Sequence, residues 1–387
     1  MQSFDIVIVG GGLAGASLAV ALRNSRLRIA LVESQPPRRP SGWDARIYAV
    51  SPANAAFLEA IGVWKHLDLE RMAPVQAMEI FGDAGGRLDF SAYDAGVGEL
   101  AWILESSLMA CELWENVKRQ SNLTLFCPGQ PADLEFRLDA AVLKLTDGTV
   151  LASRLLVGAD GRDSWVRRQA GLEAISTAYG EKGVVANFAT ERSHRQIAWQ
   201  WFRDDGVLAW LPLPGNRISM VWSTPDEYAD ELCALPPDEL CACVAAAGNH
   251  TLGKLELLTP AAAFPLRLMR VPATVAPRLA LVGDAAHGIH PLSGHGINLG
   301  FQDARELADL LGASQPWQDI GDERLLRRYQ RARKEETLLM QTTTDSLRRL
   351  FRANPPGLKA LRNLGLGLTD ALPFAKNMLV RYALGAL

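Results

Sequence analysis

The stretch FDIVIVGGGLAGASLAVALRNSRLRIALVES, near the amino end, constrains this chain more than any other. Ile6 to Val9 reads as a short buried strand, and Gly10, Gly12 and Gly15 follow it as GxGxxG. Gly10 permits the tight turn, Gly12 lets a backbone approach a pyrophosphate, and Gly15 lets helix and strand pack closely. The helix that follows, through Leu18 and Leu22, turns its N-terminal N–H groups and dipole toward phosphate charge. A second strand, Ile29 to Val32, ends at Glu33, where a carboxylate accepts hydrogen bonds from ribose hydroxyls. Strand, glycine turn, helix and terminal acid in register predict a dinucleotide site. Glu33 disfavours a 2′-phosphate there, because two negative groups repel. On this stretch alone, FAD and NAD are both open.

Two later segments extend the pattern. RLLVGADGRDSWVRRQAGL, residues 154–172, is an apolar strand running into Asp160 and Gly161, with a helix start expected near Ser164. GDAAHGIHPLSGHGINLGFQDA, residues 283–304, follows the apolar run Leu279 to Val282 and leads into a helix expected over Asn298 to Leu311. Each places an acid, Asp160 or Asp284, at the C-terminal end of a parallel strand, where open α/β sheets bind ligands. The second segment holds five glycines and the histidines His287, His290 and His295. No further His, Cys or acid cluster completes a ligand set at metal-site spacing, so no metal is expected. Glycines that bring N–H donors against a flat or phosphorylated ligand are the preferred reading, with the histidines shaping the pocket.

In order along the chain, GxGxxG with its terminal Glu, GADGxxSxVR and GDAAHxxxPxxGxGxN resemble the single-component flavin aromatic hydroxylases of the p-hydroxybenzoate hydroxylase fold. The resemblance spans nearly the whole chain. It implies FAD as cofactor and NAD(P)H as a transient reductant, since there is no second GxGxxG. It also implies that O2 adds to the reduced flavin and one oxygen atom passes to an electron-rich aromatic carbon. By the same resemblance Glu33 holds the adenosine ribose and Asp284, after Gly283, binds the ribityl chain. Gly294, Gly296, Ile297 and Asn298 offer N–H groups to the N1–C2=O edge of the isoalloxazine. Asp160 and Gly161 lie where flavin and nicotinamide approach, and the Pro291 carbonyl lies beside the reactive edge. WDARIYAVSPANAAFLEAIGVW, YGEKGVVANFATER, QIAWQWFRDDGVLAWLPLPGNRISMVWS and AFPLRLM are similar to the ubiquinone-biosynthesis hydroxylases. That narrower likeness implies a lipophilic, polyprenylated phenol as substrate and a contact from Arg46 to the FAD. His295 and Ser106 depart from the family pattern, and no flavin contact is carried onto Ser106.

The expected fold is α/β: a discontinuous Rossmann-like FAD-binding domain (1–70, 97–175 and 278–320), a mainly antiparallel β substrate domain (71–96 and 176–277) and a helical C-terminal region (321–387). Residues 195–224 alternate at strand spacing, with Ala198, Gln200 and Phe202 on one face and Trp199, Trp201 and Arg203 on the other. Such a sheet roofs the flavin and walls in a lipophilic phenol. For any single aromatic there, sheet packing is the preferred role, and no side chain is named as catalytic. Residues 346–387 carry seven basic residues and one acid in a chain of net charge −3. Nothing global points to nucleic acid. A docked helical hairpin and a peripheral membrane anchor, serving a membrane-resident substrate or an assembly, are both compatible with that basic end. Five cysteines without a CxxC pair suit a reducing cytoplasm, at its membrane face if the tail anchors. Beside this hydroxylase stand a flavin-binding, substrate-delivering component of a membrane-associated assembly with little activity alone, and a flavin dehydrogenase or hydroxylase of another aromatic substrate.

Overall fold

The computed structural model describes residues 1–288, 296–352 and 358–370. Its first strand, Gln2–Val9, lies inside a sheet of parallel strands. It pairs in parallel with Ile29–Val32 on one side and Val150–Gly158 on the other. Leu123–Phe126 and Leu279–Leu281 extend the sheet in the same sense. The strand's alternation decides its two cores. Ile6 and Ile8 face one apolar cluster with Leu18, Leu113 and Phe301, whereas Val7 and Val9 face another with Leu156 and Val166. A strand buried on both faces reads as an unbroken apolar run, as parallel strands do. Helices Leu13–Ala21, Ser106–Lys118 and Gly296–Gly312 supply the first cluster's cover.

A second, larger sheet is antiparallel except where Ile197–Arg203 runs parallel to Ala77–Phe81. Its spine is the 16-residue strand Ile175–Thr190, flanked by Arg217–Pro225 and Ala262–Arg270. One face carries Trp201, Trp210, Trp222 and Phe188, packed with Leu232, Leu240 and Val244 of the two helices Asp226–Ala234 and Pro237–Ala247. Segment 71–96, expected as one piece of the second domain, is divided. Ala73–Val75 pairs with Ala101–Glu105 in a small three-stranded sheet completed by Ile47–Val50, while Ala77–Phe81 and Arg87–Ser91 join the large sheet.

The GDAAHG turn links the two large sheets. Leu279–Leu281 belongs to the parallel sheet, and six residues later His287–Gly288 pairs with Met269 and Arg270 of the antiparallel one. The predicted helix after the glycine loop spans Gly296–Gly312, two residues earlier than expected at its start. The C-terminal region forms helices Glu323–Arg352 and Leu358–Asp370. Residues 353–357 and 371–387 lie outside the described residues.

Candidate active site

The glycine turn is fixed by the neighbouring GADG loop. Gly10 has φ +106°, and a Cβ on it would lie 2.4 Å from the Ala159 carbonyl oxygen. Only glycine takes that conformation at that contact without strain. A Cβ on Gly15 would come within 2.0 Å of the Gly10 oxygen, so helix and strand are as close as backbones allow. Gly12 differs: nothing lies within 4 Å of the space its Cβ would take. It precedes helix Leu13–Ala21, whose N-terminus has neither a side-chain cap nor an acidic residue in its first turn. Gly12, Leu13 and Ala14 line a cavity of about 900 Å³. An uncapped helix N-terminus opening on clear space is suited to an anion, so the turn fits a pyrophosphate.

Glu33 accepts from Gly11 N–H at 2.6 Å through one carboxylate oxygen, and from Ser34 N–H at 2.7 Å through the other. Its carboxylate thus closes the glycine turn itself. Asp160, expected near the flavin, is turned into its own loop, accepting from Ser164 Oγ at 2.5 Å and Val166 N–H at 3.0 Å. Ser164 in turn caps helix Trp165–Gln169 by accepting from Arg167 N–H. The cavity side of the loop is formed instead by Gly161, Arg162 and Asp163.

Arg46 stands on a braced loop. Arg71 grips the buried Glu105 with two 2.7 Å hydrogen bonds, and Glu105 accepts from Asp44 N–H. Asp44 receives the N–H groups of Arg46 and Ser107, and Ser106 N–H donates to the Arg46 carbonyl. The Arg46 guanidinium is exposed toward the cavity over the Phe264 ring, 5.8 Å from its centroid, with no carboxylate partner among the described residues. Asp284 is likewise exposed between buried Gly283 and Ala285, lines the cavity, and accepts no hydrogen bond from a described residue. Among the described residues, Arg46 and Asp284 thus bring a guanidinium and a carboxylate without charged partners to the same cavity. Tyr48 feels both; burial pushes its hydroxyl up, and Asp284 adds to the shift against the pull of Arg46. It stays protonated at neutral pH.

Asn298, whose backbone N–H was expected at the flavin, commits its side-chain amide to the protein. It accepts from Ser51 N–H at 2.9 Å and Asn54 Nδ2 at 3.0 Å, and donates to the Ala49 carbonyl at 2.8 Å. Its contribution is to fix Gly296 and Ile297 at the cavity wall. Pro291 and Gly294, with His290 and His295, lie outside the described residues.

Beneath the turn runs a charge network that the motifs did not reveal. His287 Nε2 is 2.6 Å from Asp303 Oδ2, which also accepts from Gly283 N–H at 2.9 Å, while Arg333 Nε donates to Asp303 Oδ1 at 2.8 Å. Arg333 is further bonded to Glu336 and Gln302. Burial disfavours the charged forms of His287 and Asp303, yet their mutual attraction wins: His287 is raised and Asp303 lowered. Removing one partner of such a buried pair costs about 3–5 kcal/mol. The same helix, Glu323–Arg352, donates from Tyr329 to the Leu281 carbonyl and from Gln341 to the Met269 carbonyl, holding the turn at both ends. Asp303 was legible in principle. It sits four residues from Leu299 and four from Leu307 on the buried stripe of its helix, an acid where the 3.6-residue period calls for an apolar side chain.

The far wall of the cavity is the open face of the antiparallel sheet. Val185, Val221, Ala209 and Gln200 stand opposite one another across four strands and all line it. The cavity thus has a polar end at the glycine turn and an apolar end at the sheet.

A family model described as FAD binding domain matches residues 3–342. The chain is 34% identical over 386 residues to the ubiquinone hydroxylase UbiL of Rhodospirillum rubrum, covering 99% of this chain and 90% of that protein. It is 33% identical to the 3-demethoxyubiquinol 3-hydroxylase of Escherichia coli, over 99% of each. Among solved structures, PqsL of Pseudomonas aeruginosa, a probable FAD-dependent monooxygenase, superposes with a TM-score of 0.78 at 23% identity, covering 94% of this chain and 99% of that one. The likeness runs through both sheets and the turn between them, and it shows that the chain belongs to the FAD-binding family that includes the ubiquinone-biosynthesis hydroxylases.

Proposed function

We propose that this chain is an NAD(P)H-dependent FAD monooxygenase that hydroxylates the ring of a polyprenylated phenol in ubiquinone biosynthesis. The observation that carries the reading is a two-ended cavity, with the glycine turn and an uncapped helix N-terminus at one end and an apolar sheet face at the other. Full-length likeness to a ubiquinone hydroxylase and a 3-demethoxyubiquinol 3-hydroxylase supports the same substrate class. Bound FAD supplies the redox and oxygen chemistry, with NAD(P)H as reductant and O2 as oxygen source.

The residues do the rest. Gly12 and the helix N-terminus receive the pyrophosphate, and Arg46 adds a cation within reach of the same region. Glu33, already fixed on Gly11, presents its carboxylate to ribose hydroxyls. Asp284 accepts from the ribityl hydroxyls, and the start of helix Gly296–Gly312 gives N–H groups to the ring edge. Asn298 and the Asp303 network keep these donors in place. The aliphatic sheet face seats the phenol and keeps water from the reacting centre. Pro291, Gly294 and Gly161 remain proposed contacts on the strength of the family resemblance.

The substrate is lipophilic, and the outer side of helix Glu323–Arg352 exposes Leu338, Leu339, Leu347 and Leu350. No described helix is long and apolar enough to cross a membrane. We propose that this leucine face touches the membrane surface from which the phenol is drawn.

The deciding experiment is anaerobic bleaching of the purified yellow protein by NADH or NADPH, with and without a short-chain prenylated phenol, followed by product analysis in air. Strong acceleration by the phenol and a hydroxylated product are expected. Reduction at equal rates with only H2O2 formed would point to a flavin oxidase or dehydrogenase instead.

A further inference from the structure

We propose that Gln200 is a specificity-determining residue: its amide holds the ring oxygen of an uncharged phenol and thereby selects neutral phenols over hydrocarbon rings and benzoate-type anions. The inference rests on the hydroxylase reading above and adds to it the group that recognises the ring.

Strand Ile197–Arg203 is central in its sheet, between Gly206–Leu213 and Ala77–Phe81. Gln200 is only 6% exposed, yet its side chain forms no hydrogen bond with any described residue. An amide without a protein partner must turn its polar atoms to water or a ligand. Gln200 lines the open face of the sheet among Ala198, Ala209, Leu211 and Val221, none of which offers a polar side-chain atom. The indole N–H of adjacent Trp199 is directed to Glu79 at 3.2 Å. Gln200 is therefore the side chain on this wall that brings hydrogen-bonding atoms to the cavity without a partner among the described residues.

The small neighbours matter as much as the amide. Ala198 and Ala209 leave room for a ring beside Gln200, where larger residues would fill it. An amide presents both an acceptor and N–H donors, so it can accept from a phenol O–H and donate to an oxygen on the adjacent ring carbon. It cannot neutralise a carboxylate. The cavity's guanidinium groups lie on other walls: Arg46 over Phe264, Arg162 donating to the Pro265 carbonyl at 3.3 Å, and Arg267 3.9 Å from Asp163. A benzoate seated at the sheet would bury an unpaired charge, which is strongly disfavoured.

The test measures affinity by calorimetry on the FAD-loaded protein, using 2-prenylphenol, prenylbenzene and 3-prenyl-4-hydroxybenzoate. The native protein should bind the phenol roughly ten-fold more tightly than the hydrocarbon, the size expected of one net hydrogen bond, and should bind the benzoate most weakly. Gln200→Leu should keep its flavin and its affinity for prenylbenzene while losing the ten-fold preference. Gln200→Met serves the same purpose if the leucine variant does not fold. A variant that keeps the preference, or a native protein that binds phenol and hydrocarbon equally, overturns the role of Gln200. Binding of neither compound, with FAD in place, would instead count against the hydroxylase reading itself.

Discussion

At the scale of single residues, the decisive feature is that charge is buried under the Gly283 turn at the polar end of the cavity and is compensated there. Asp303 faces His287, the Gly283 N–H and Arg333, and His287 also feels Asp284. The raised His287 means that folding favours the imidazolium. Its contribution to stability is fully present below the ordinary imidazole value of 6.5 and is lost as pH rises through the raised value. The lowered Asp303 contributes above its ordinary 3.8 and loses that contribution only as pH falls through its depressed value. In the native protein, melting temperature should therefore fall as pH climbs above 6.5. His287→Gln should melt lower overall and lose that slope, measured by thermal unfolding in matched buffers from pH 6 to 9. An unchanged slope would place the titration elsewhere. His287 stood out in the sequence, but its partner did not. Asp303 and Arg333 are 30 residues apart, and each occupies a helical position that apolar neighbours such as Leu307 and Leu326 share. Only the packing of two helices brings them together, and no local motif records that.

At the scale of elements, the strand–turn–helix unit was legible because every residue in it answers a local demand. Gly10 needs positive φ, Gly15 needs contact with a backbone oxygen, and Ile6 to Val9 need burial on both faces. The sheet's two faces were half legible. Alternation separated Trp199 and Trp201 from Ala198 and Gln200, but it did not say which set meets a ligand. The structure packs Trp201 and Trp222 against helices and leaves the small residues to the cavity. The motif gave Asn298 a place for its backbone N–H, but not the work of its side chain, which depends on Ser51, Asn54 and Ala49 across the fold. The glycine turn gives a paired prediction. Gly15→Ala forces a Cβ into the Gly10 carbonyl and should cost about 1–3 kcal/mol, the range for overpacking. Gly12→Ala meets no protein atom, and its φ of −67° suits alanine. It should leave the melting temperature of the flavin-free protein unchanged while sharply lowering retained FAD, read from the 450 nm absorbance per chain. Normal flavin content in Gly12→Ala would remove the turn from the binding site.

At the scale of the molecule, helix Glu323–Arg352 has two faces with separate work. Its inner face clamps the turn between the sheets through Tyr329, Arg333 and Gln341, and farther along Arg348 and Arg352 bind Glu181 on the spine strand. Glu181 reaches them at an irregularity between Ala178 and Lys182, where Gly180 has φ +63°. The outer face carries Leu339, 48% exposed, and Leu350, 37% exposed. Leu339 and Leu350 take no part in the side-chain bonds that clamp the turn, so a surface role can be tested apart from the site. The last part of the basic end, residues 371–387, lies outside the described residues. Burying two half-exposed leucines in lipid is worth about 2 kcal/mol, roughly thirty-fold in partition. The double variant Leu339→Ser, Leu350→Ser should therefore pellet far less with liposomes of mixed neutral and anionic lipid. It should keep native FAD content and native turnover of a water-soluble short-chain phenol, because Tyr329, Arg333 and Gln341 are untouched. Equal pelleting of variant and native protein would take this helix face out of the membrane contact. Loss of flavin in the double variant would mean that the two faces are not independent.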